Sequence, residues 1–181
     1  MSLDFENEVI LAIKGNKDSF AKVIKNLELS MYRVSKAILK SDNDCADAIQ
    51  ETILKSYKAI TTLKHPEFFK TWIIRILINE CKKINIQKNK VIPMEDVIIE
   101  KSFNNFEENL LIQDTLNLLE NDLKDVVLLY YIEDLSVKDI SDILNIPKGT
   151  VKSRLSRART KLAIILRKDF KESDVYETEG I

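Results

Sequence analysis

Apolar residues recur every three or four positions along almost the whole chain, and the period fails for any length only between Gln87 and Asn105. A repeat near 3.6 places such residues on one face of a helix, whereas a half-buried strand would require strict alternation. Three glycines and three prolines in 181 residues leave few positions where helices must stop. The chain is therefore read as all-α: two small helical domains joined by a flexible linker, the C-terminal one a helix-turn-helix. The longest apolar stretches, Trp72–Ile78 (broken by Arg75) and Val126–Ile132, fall well short of the about 20 residues a bilayer span needs. The acidic start MSLDFENEVI has no signal-peptide pattern. Cys45 and Cys81 form no CxxC pair, so they are expected to be reduced packing residues of a cytosolic protein, with neither a disulfide nor a metal site.

The period divides the chain as follows. Phe5, Val9, Ile10 and Ile13 mark a short first helix, broken at Gly15-Asn16. Asp18 is the expected N-cap of a second, with Phe20, Val23, Ile24 and Leu27 inside, continued by Met31, Val34, Ile38 and Leu39. Ser41 to Asp44 caps a third, whose inner side takes Ala48, Ile49, Thr52, Ile53, Ser56 and Tyr57. After a loop from Thr61, Pro66 suits the first turn of a fourth helix, running from about Glu67 to Ile86. Its buried stripe is Phe69, Trp72, Ile73, Ile76 and Leu77. Residues 87–109 are polar and aperiodic and read as the linker. Leu110, Leu111, Thr115, Leu118 and Leu119 then form one helix, and Val126, Val127, Leu128, Tyr130 and Tyr131 another. The expected domains are 1–86 and 110–171, followed by an acidic tail, 172–181.

Leu135 to Leu166 is the most informative stretch. Ser136-Val137-Lys138-Asp139 has a hydroxyl and, three residues on, a carboxylate, a helix-start signal. Ile140, Ile143 and Leu144 supply an inner face; Asn145 tolerates a left-handed turn and Pro147 blocks continuation. Gly149 and Thr150 open a second helix, giving the length of a DNA-binding helix-turn-helix. On a helical wheel Val151, Leu155, Ala158 and Leu162 share a core face, while Gly149, Lys152, Ser153, Ser156 and Thr160 lie opposite, flanked by Arg154, Arg157 and Arg159. Small residues permit close approach to a major groove, Lys and Ser reach base edges, and Arg holds phosphate. From Lys152 to Lys171 there are eight cations and one acid, where a solvated helix would intersperse acids for pairing.

The net charge of −1 conceals segregation: Glu95 to Asp125 holds nine acids against Lys101 and Lys124, in sequence well apart from the basic stretch. Those acids are expected either to repel DNA or to fold back on the basic helix. A ligand-sensing repressor would need an apolar pocket or dimerisation face in its N-terminal half, which instead carries an acidic and a basic helix. An enzyme is disfavoured by one His, no Gly-rich phosphate loop, no metal-ligand cluster and no nucleophile elbow.

Gly149-Thr150-Val151-Lys152-Ser153-Arg154-Leu155-Ser156-Arg157-Ala158-Arg159 resembles the C-terminal helix-turn-helix of bacterial extracytoplasmic-function sigma factors. Asp44-Cys45-Ala46-Asp47-Ala48-Ile49-Gln50-Glu51-Thr52 is similar to that family's core-polymerase-binding helix, and Phe69 to Asn79 to its minus-ten-recognising helix. Three motifs in the family's order cover nearly the whole chain. The resemblance implies a cytoplasmic, non-enzymatic initiation factor with no cofactor and no small-molecule substrate. Its partners would be core RNA polymerase, promoter DNA and a membrane-anchored anti-sigma factor, with a stress or cell-envelope regulon as the family's usual theme. It implies polymerase contact by Asp44, Asp47, Gln50 and Glu51, whose three carboxylates at i, i+3 and i+7 share a helix face. It implies minus-ten contact by Asn79, Lys82 and Lys83, with Lys88 and Lys90 extending the basic character, and by Leu63 in the loop matching one that receives a flipped base. His65 in that loop is read as solvated and Trp72 as core. Minus-thirty-five contact falls to Gly149, Thr150, Lys152, Ser153, Ser156, Arg157 and Arg159. The sequence departs from the family at Ser141 (usually Ala), Asn145 (commonly Gly) and Glu120 (often Pro), leaving the angle between the two motif helices open.

Overall fold

The computed structural model describes residues 3–39, 41–90, 116 and 118–176. No strand occurs among them. The chain divides into two compact units, Met1–Glu95 with Asp142–Asn145, and Asp96–Ser141 with Ile146–Ile181.

The N-terminal unit holds α1 (Leu3–Ile13), α2 (Lys17–Ile38), α3 (Asp42–Ala59) and α4 (Phe69–Lys90). Gly15, at φ +95°, turns the chain between α1 and α2 through a conformation that costs glycine little. That turn leaves Asn16 extended, and Asn16, not Asp18, caps α2: its Oδ1 accepts from the Ser19 amide at 3.0 Å. Asp18 lies within the first turn, where its charge suits the positive end of the helix dipole. The helices α2, α3 and α4 pack on one another and α1 packs on α2. On α3 the face turned inward carries Cys45, Ala48, Thr52 and Ser56, all small, so α4 can lie close. Thr52 Oγ1 donates to the Ala48 carbonyl at 2.7 Å and Ser56 Oγ to that of Ile53 at 3.0 Å, which satisfies both buried hydroxyls. From α4, Phe69, Ile73, Ile74, Leu77, Ile78 and Cys81 are fully or almost fully buried, each large side chain contributing roughly 1.5–3 kcal/mol.

Several expectations need correction here. Trp72 is only half-buried, because Phe69 and Ile73 already fill the core side of that turn. Tyr57 is exposed, its ring set edge-on to Phe20 at 5.1 Å. The loop from Thr61 contains two 3₁₀ turns, Ile60–Thr62 and Pro66–Phe68, and Pro66 opens the second. Helix α4 starts at Phe69 and continues four residues beyond Ile86, into the stretch read as linker. The rest of that linker and most of the helix expected from Leu110 lie outside the described residues.

The C-terminal part of the chain contains α5 (Asn121–Val127), a π turn (Leu128–Ile132), α6 (Val137–Leu144) and α7 (Lys148–Tyr176). Leu116, Leu119, Leu123, Val127 and Ala158 form its core cluster, edged by Ile132 and Leu162. Leu118 is exposed, contrary to its place in the expected stripe, as are Tyr130 and Tyr131. The wider π turn rotates both rings out of register with Val126 and Val127, and they stack edge-to-face on each other at 4.9 Å.

Candidate functional site

Helix α7 begins in a tight turn tied by local bonds. Asn145 takes φ +54°, the left-handed conformation expected of it. Ser141, where the resembled family usually has Ala, donates its Oγ to the Ile146 carbonyl at 2.6 Å, so the hydroxyl ties the turn. Before α6, the Asp139 amide donates to Ser136 Oγ at 3.1 Å and that hydroxyl donates to Asp139 Oδ2 at 2.6 Å. Along α7, Val151, Leu155 and Ala158 are buried and Leu162 half-buried. Gly149, Lys152, Ser153, Ser156, Arg157, Arg159 and Thr160 are exposed, and Thr150 is half-buried at the margin. Ser153 Oγ donates to the Thr150 carbonyl at 2.9 Å and Arg159 Nε to that of Leu155 at 3.3 Å, which keeps both side chains close to the helix surface.

The cations of α7 are less unopposed than their sequence suggests. Arg154 Nε lies 3.2 Å from Asp122 Oδ2, and Lys161 Nζ lies 2.7 Å from Glu120 Oε1. Two acids of the 95–125 stretch therefore neutralise cations at the side of α7, while Lys152 and Arg157 have no ion pair among the described residues. Arg154 thereby becomes a brace to the start of α5.

In the N-terminal unit α3 and α4 run antiparallel, with Asp44 opposite Lys88 and Lys55 opposite Glu80. An open groove between them is lined by Asp44, Asp47, Gln50, Glu51 and Leu54 from α3 and by Glu80, Lys83, Ile84, Gln87 and Lys88 from α4. The expected acidic residues are thus brought together on one rim. Ion pairs absent from the sequence reading lie along this groove, two between the helices (Lys88 with Asp44, Lys55 with Glu80) and two within one helix (Lys55 with Glu51, Lys83 with Glu80). Lys88 Nζ sits 2.7 Å from Asp44 Oδ2; Lys55 Nζ sits 3.1 Å from Glu51 Oε1 and 2.7 Å from Glu80 Oε2; Lys83 Nζ sits 2.8 Å from Glu80 Oε1. Asp47 has no ion pair among the described residues. The Glu80 side chain is only 9% exposed. Burial opposes its ionisation, but the hydrogen bonds from Lys55 and Lys83 prevail and hold its carboxyl below the usual glutamate value. Hydrogen bonds that it donates to Glu80 and then to Glu51 raise the Lys55 ammonium above its ordinary range.

A second hollow on α4 is lined by Trp72, Ile76, Asn79, Glu80 and Lys83, with Lys55 and Ala59 from α3. Trp72, Ile76, Asn79 and Lys83 follow at i, i+4, i+7 and i+11 and form one face. Trp72, read as core, is therefore an open aromatic wall beside the Asn79 amide. Lys82 is exposed and has no ion pair among the described residues; Leu63 is half-buried at the end of the first 3₁₀ turn and is not part of this hollow. His65 Nδ1 lies 3.2 Å from Glu67 Oε1 and its ring faces Phe68 edge-on at 5.9 Å. Among the described residues no group of His, Cys, Asp and Glu could hold a metal ion, and no helix is long and apolar enough to cross a membrane.

Family comparisons bear on both halves. Residues 23–90 match the family described as Sigma-70 region 2, and residues 109–162 match Sigma-70, region 4. The chain is similar to the ECF RNA polymerase sigma-E factor of Haemophilus influenzae, 32% identical over 168 residues that cover 81% of this chain and 86% of that one. Its fold resembles CnrH, solved with the cytosolic domain of CnrY (TM-score 0.66, 19% identity, 91% of this chain and 97% of that one). It also resembles the sigma factor RpoE of Bartonella quintana, solved with the anti-sigma factor NepR (TM-score 0.61, 22% identity, 92% and 98%). The chain belongs to the extracytoplasmic-function sigma factors of RNA polymerase, non-catalytic initiation factors that bind core polymerase and direct it to promoters.

Proposed function

We propose how the initiation function is divided among the residues. The exposed face of α7, with Gly149, Thr150, Lys152, Ser153, Ser156, Arg157 and Arg159, reads the minus-thirty-five element in the major groove. One observation carries this: the buried row Val151, Leu155 and Ala158 leaves the small and cationic residues outward on the same helix. Asn79, Lys82 and Lys83, with Leu63 in the loop before α4, contact the minus-ten element, Asn79 offering donor and acceptor to an unstacked base. Asp44, Asp47, Gln50 and Glu51 meet a basic surface of core polymerase. The functional domains are 1–86 and 110–171, with 87–109 as linker and 172–181 as an acidic tail. The protein works in the cytoplasm on a stress or envelope regulon, without cofactor or small-molecule substrate, and is held inactive by a membrane-anchored anti-sigma factor. The two fold relatives, each solved with a bound protein, support that last element.

Run-off transcription from a promoter library with purified core polymerase tests the whole reading; specific transcripts are expected, and their absence together with no core binding would overturn it. Reversing charge at Asp47 and Glu51 should weaken core binding while sparing minus-thirty-five DNA binding; equal core affinity removes the acidic face from the interface. Arg157→Ala should lower affinity for minus-thirty-five DNA and reduce the salt slope by about one. An unchanged affinity and slope would take Arg157 off the DNA face.

A further inference from the structure

The polymerase-facing groove and the Asn79 hollow share a wall, made of Glu80 and Lys83. A continuous chain of charges crosses it. Glu51 on the groove rim holds Lys55 at 3.1 Å, Lys55 holds one oxygen of Glu80 at 2.7 Å, and Lys83 holds the other at 2.8 Å. Lys83 in turn lies one turn after Asn79 on the hollow's face. Two ammonium groups share the single Glu80 carboxylate, and Glu51 offsets part of the second positive charge through Lys55.

Resting on the residue assignments above, we propose that Glu51, Lys55, Glu80 and Lys83 form an ion-pair relay that couples polymerase docking to single-strand DNA contact. A guanidinium of the polymerase engages the Glu51 carboxylate in two parallel hydrogen bonds, a geometry in which it outcompetes the single ammonium of Lys55. Lys55 then turns wholly to Glu80. The restored positive charge of Lys55 repels Lys83, which leaves Glu80 for a phosphate beside the base held at Asn79. In the free protein the same relay keeps Lys83 engaged and DNA affinity low. Because coupling between two ligands is reciprocal, bound single strand also tightens the hold on polymerase. Asp47, on the same rim and without an ion pair among the described residues, lies outside the relay.

The test uses the full chain and a labelled single-stranded DNA of mixed sequence, titrated at low salt without polymerase. Glu51→Gln should raise affinity about two- to fivefold, the scale set by exposed ion pairs, and steepen the salt dependence. Asp47→Asn removes an equal charge from the same rim and should raise affinity by less than half as much. The double variant Glu51→Gln/Lys83→Gln should lose the gain. Equal effects of Glu51→Gln and Asp47→Asn, or a gain that survives Lys83→Gln, would overturn the relay. A parallel titration of core polymerase with the Asp47/Glu51 charge-reversed chain separates the two ideas. Unchanged core binding there sinks the acidic-face assignment and the relay with it, whereas weakened core binding without the DNA effects sinks the relay alone.

Discussion

Gly149, in the first turn of α7, is a glycine that the protein's own packing does not require. A Cβ built there meets nothing within 4 Å, and its backbone is not left-handed. Glycine in a helix ordinarily destabilises it, and under the proposed reading the missing side chain leaves room for DNA to approach. Gly149→Ala should therefore stabilise the fold by about 0.5 kcal/mol while weakening minus-thirty-five DNA binding. Urea unfolding and DNA titration on the same preparation check this, and undiminished affinity would leave the glycine without a groove-facing role. Asn145 shows the opposite case, a residue whose left-handed backbone is required internally and was legible from its type and the Pro147 that follows. Asp134, at φ +53°, gave no such signal: the π turn before it and the Leu135 amide bonded back to the Leu129 carbonyl at 3.0 Å set its conformation. Cys81 has its thiol pushed up to about 12, chiefly by burial, which leaves it protonated and inert at neutral pH.

Among the elements, α6 depends most on its start. It has eight residues, too few to be stable alone, and Ser136 ties its first turn with bonds to and from Asp139. Ser136→Ala should destabilise the C-terminal unit by about 1 kcal/mol, seen as a lower denaturation midpoint; an unchanged midpoint would show the bond has no net effect. Helix identity was legible in the sequence because periodicity and caps act within a few residues. Boundaries were less so. Asn16 displaced Asp18 as cap because the left-handed Gly15 fixed where α2 begins, and α4 ran on to Lys90 without a sequence signal to stop it before there. The exposure of Tyr130 and Tyr131 was hidden for a related reason: a wheel drawn at 3.6 residues per turn does not describe a π turn.

For the molecule as a whole, stability in acid is tied to carboxylates whose ionised forms the fold favours. Glu80 is held by Lys55 and Lys83, and Asp42 is lowered first by its hydrogen bond from Lys36. A carboxyl with a depressed folded pKa contributes stability above its unfolded value and loses it as pH falls through the folded one. The N-terminal unit should hold its urea midpoint from neutral pH to about 5 and lose stability below the ordinary glutamate value of 4.5. Glu80→Gln should cost about 1–2 kcal/mol at pH 7 and flatten that acid limb. An acid limb identical in the variant would exclude Glu80 as its source. The near-neutral total of charge conceals both the basic face of α7 and the acidic rim of α3, and their residue types and spacing were readable because one helix carries each. Which cations remain available was not readable. Lys88 with Asp44, Lys55 with Glu80 and Lys161 with Glu120 pair across 44, 25 and 41 positions of sequence. Local patterning determined the helices, the turn of the motif and the outward face of α7, since each rests on neighbours within a turn or two. The packing of α4 against α3, and of α7 against the start of α5, decided which charges meet, because an ion pair forms only where two helix surfaces are brought within a few ångströms.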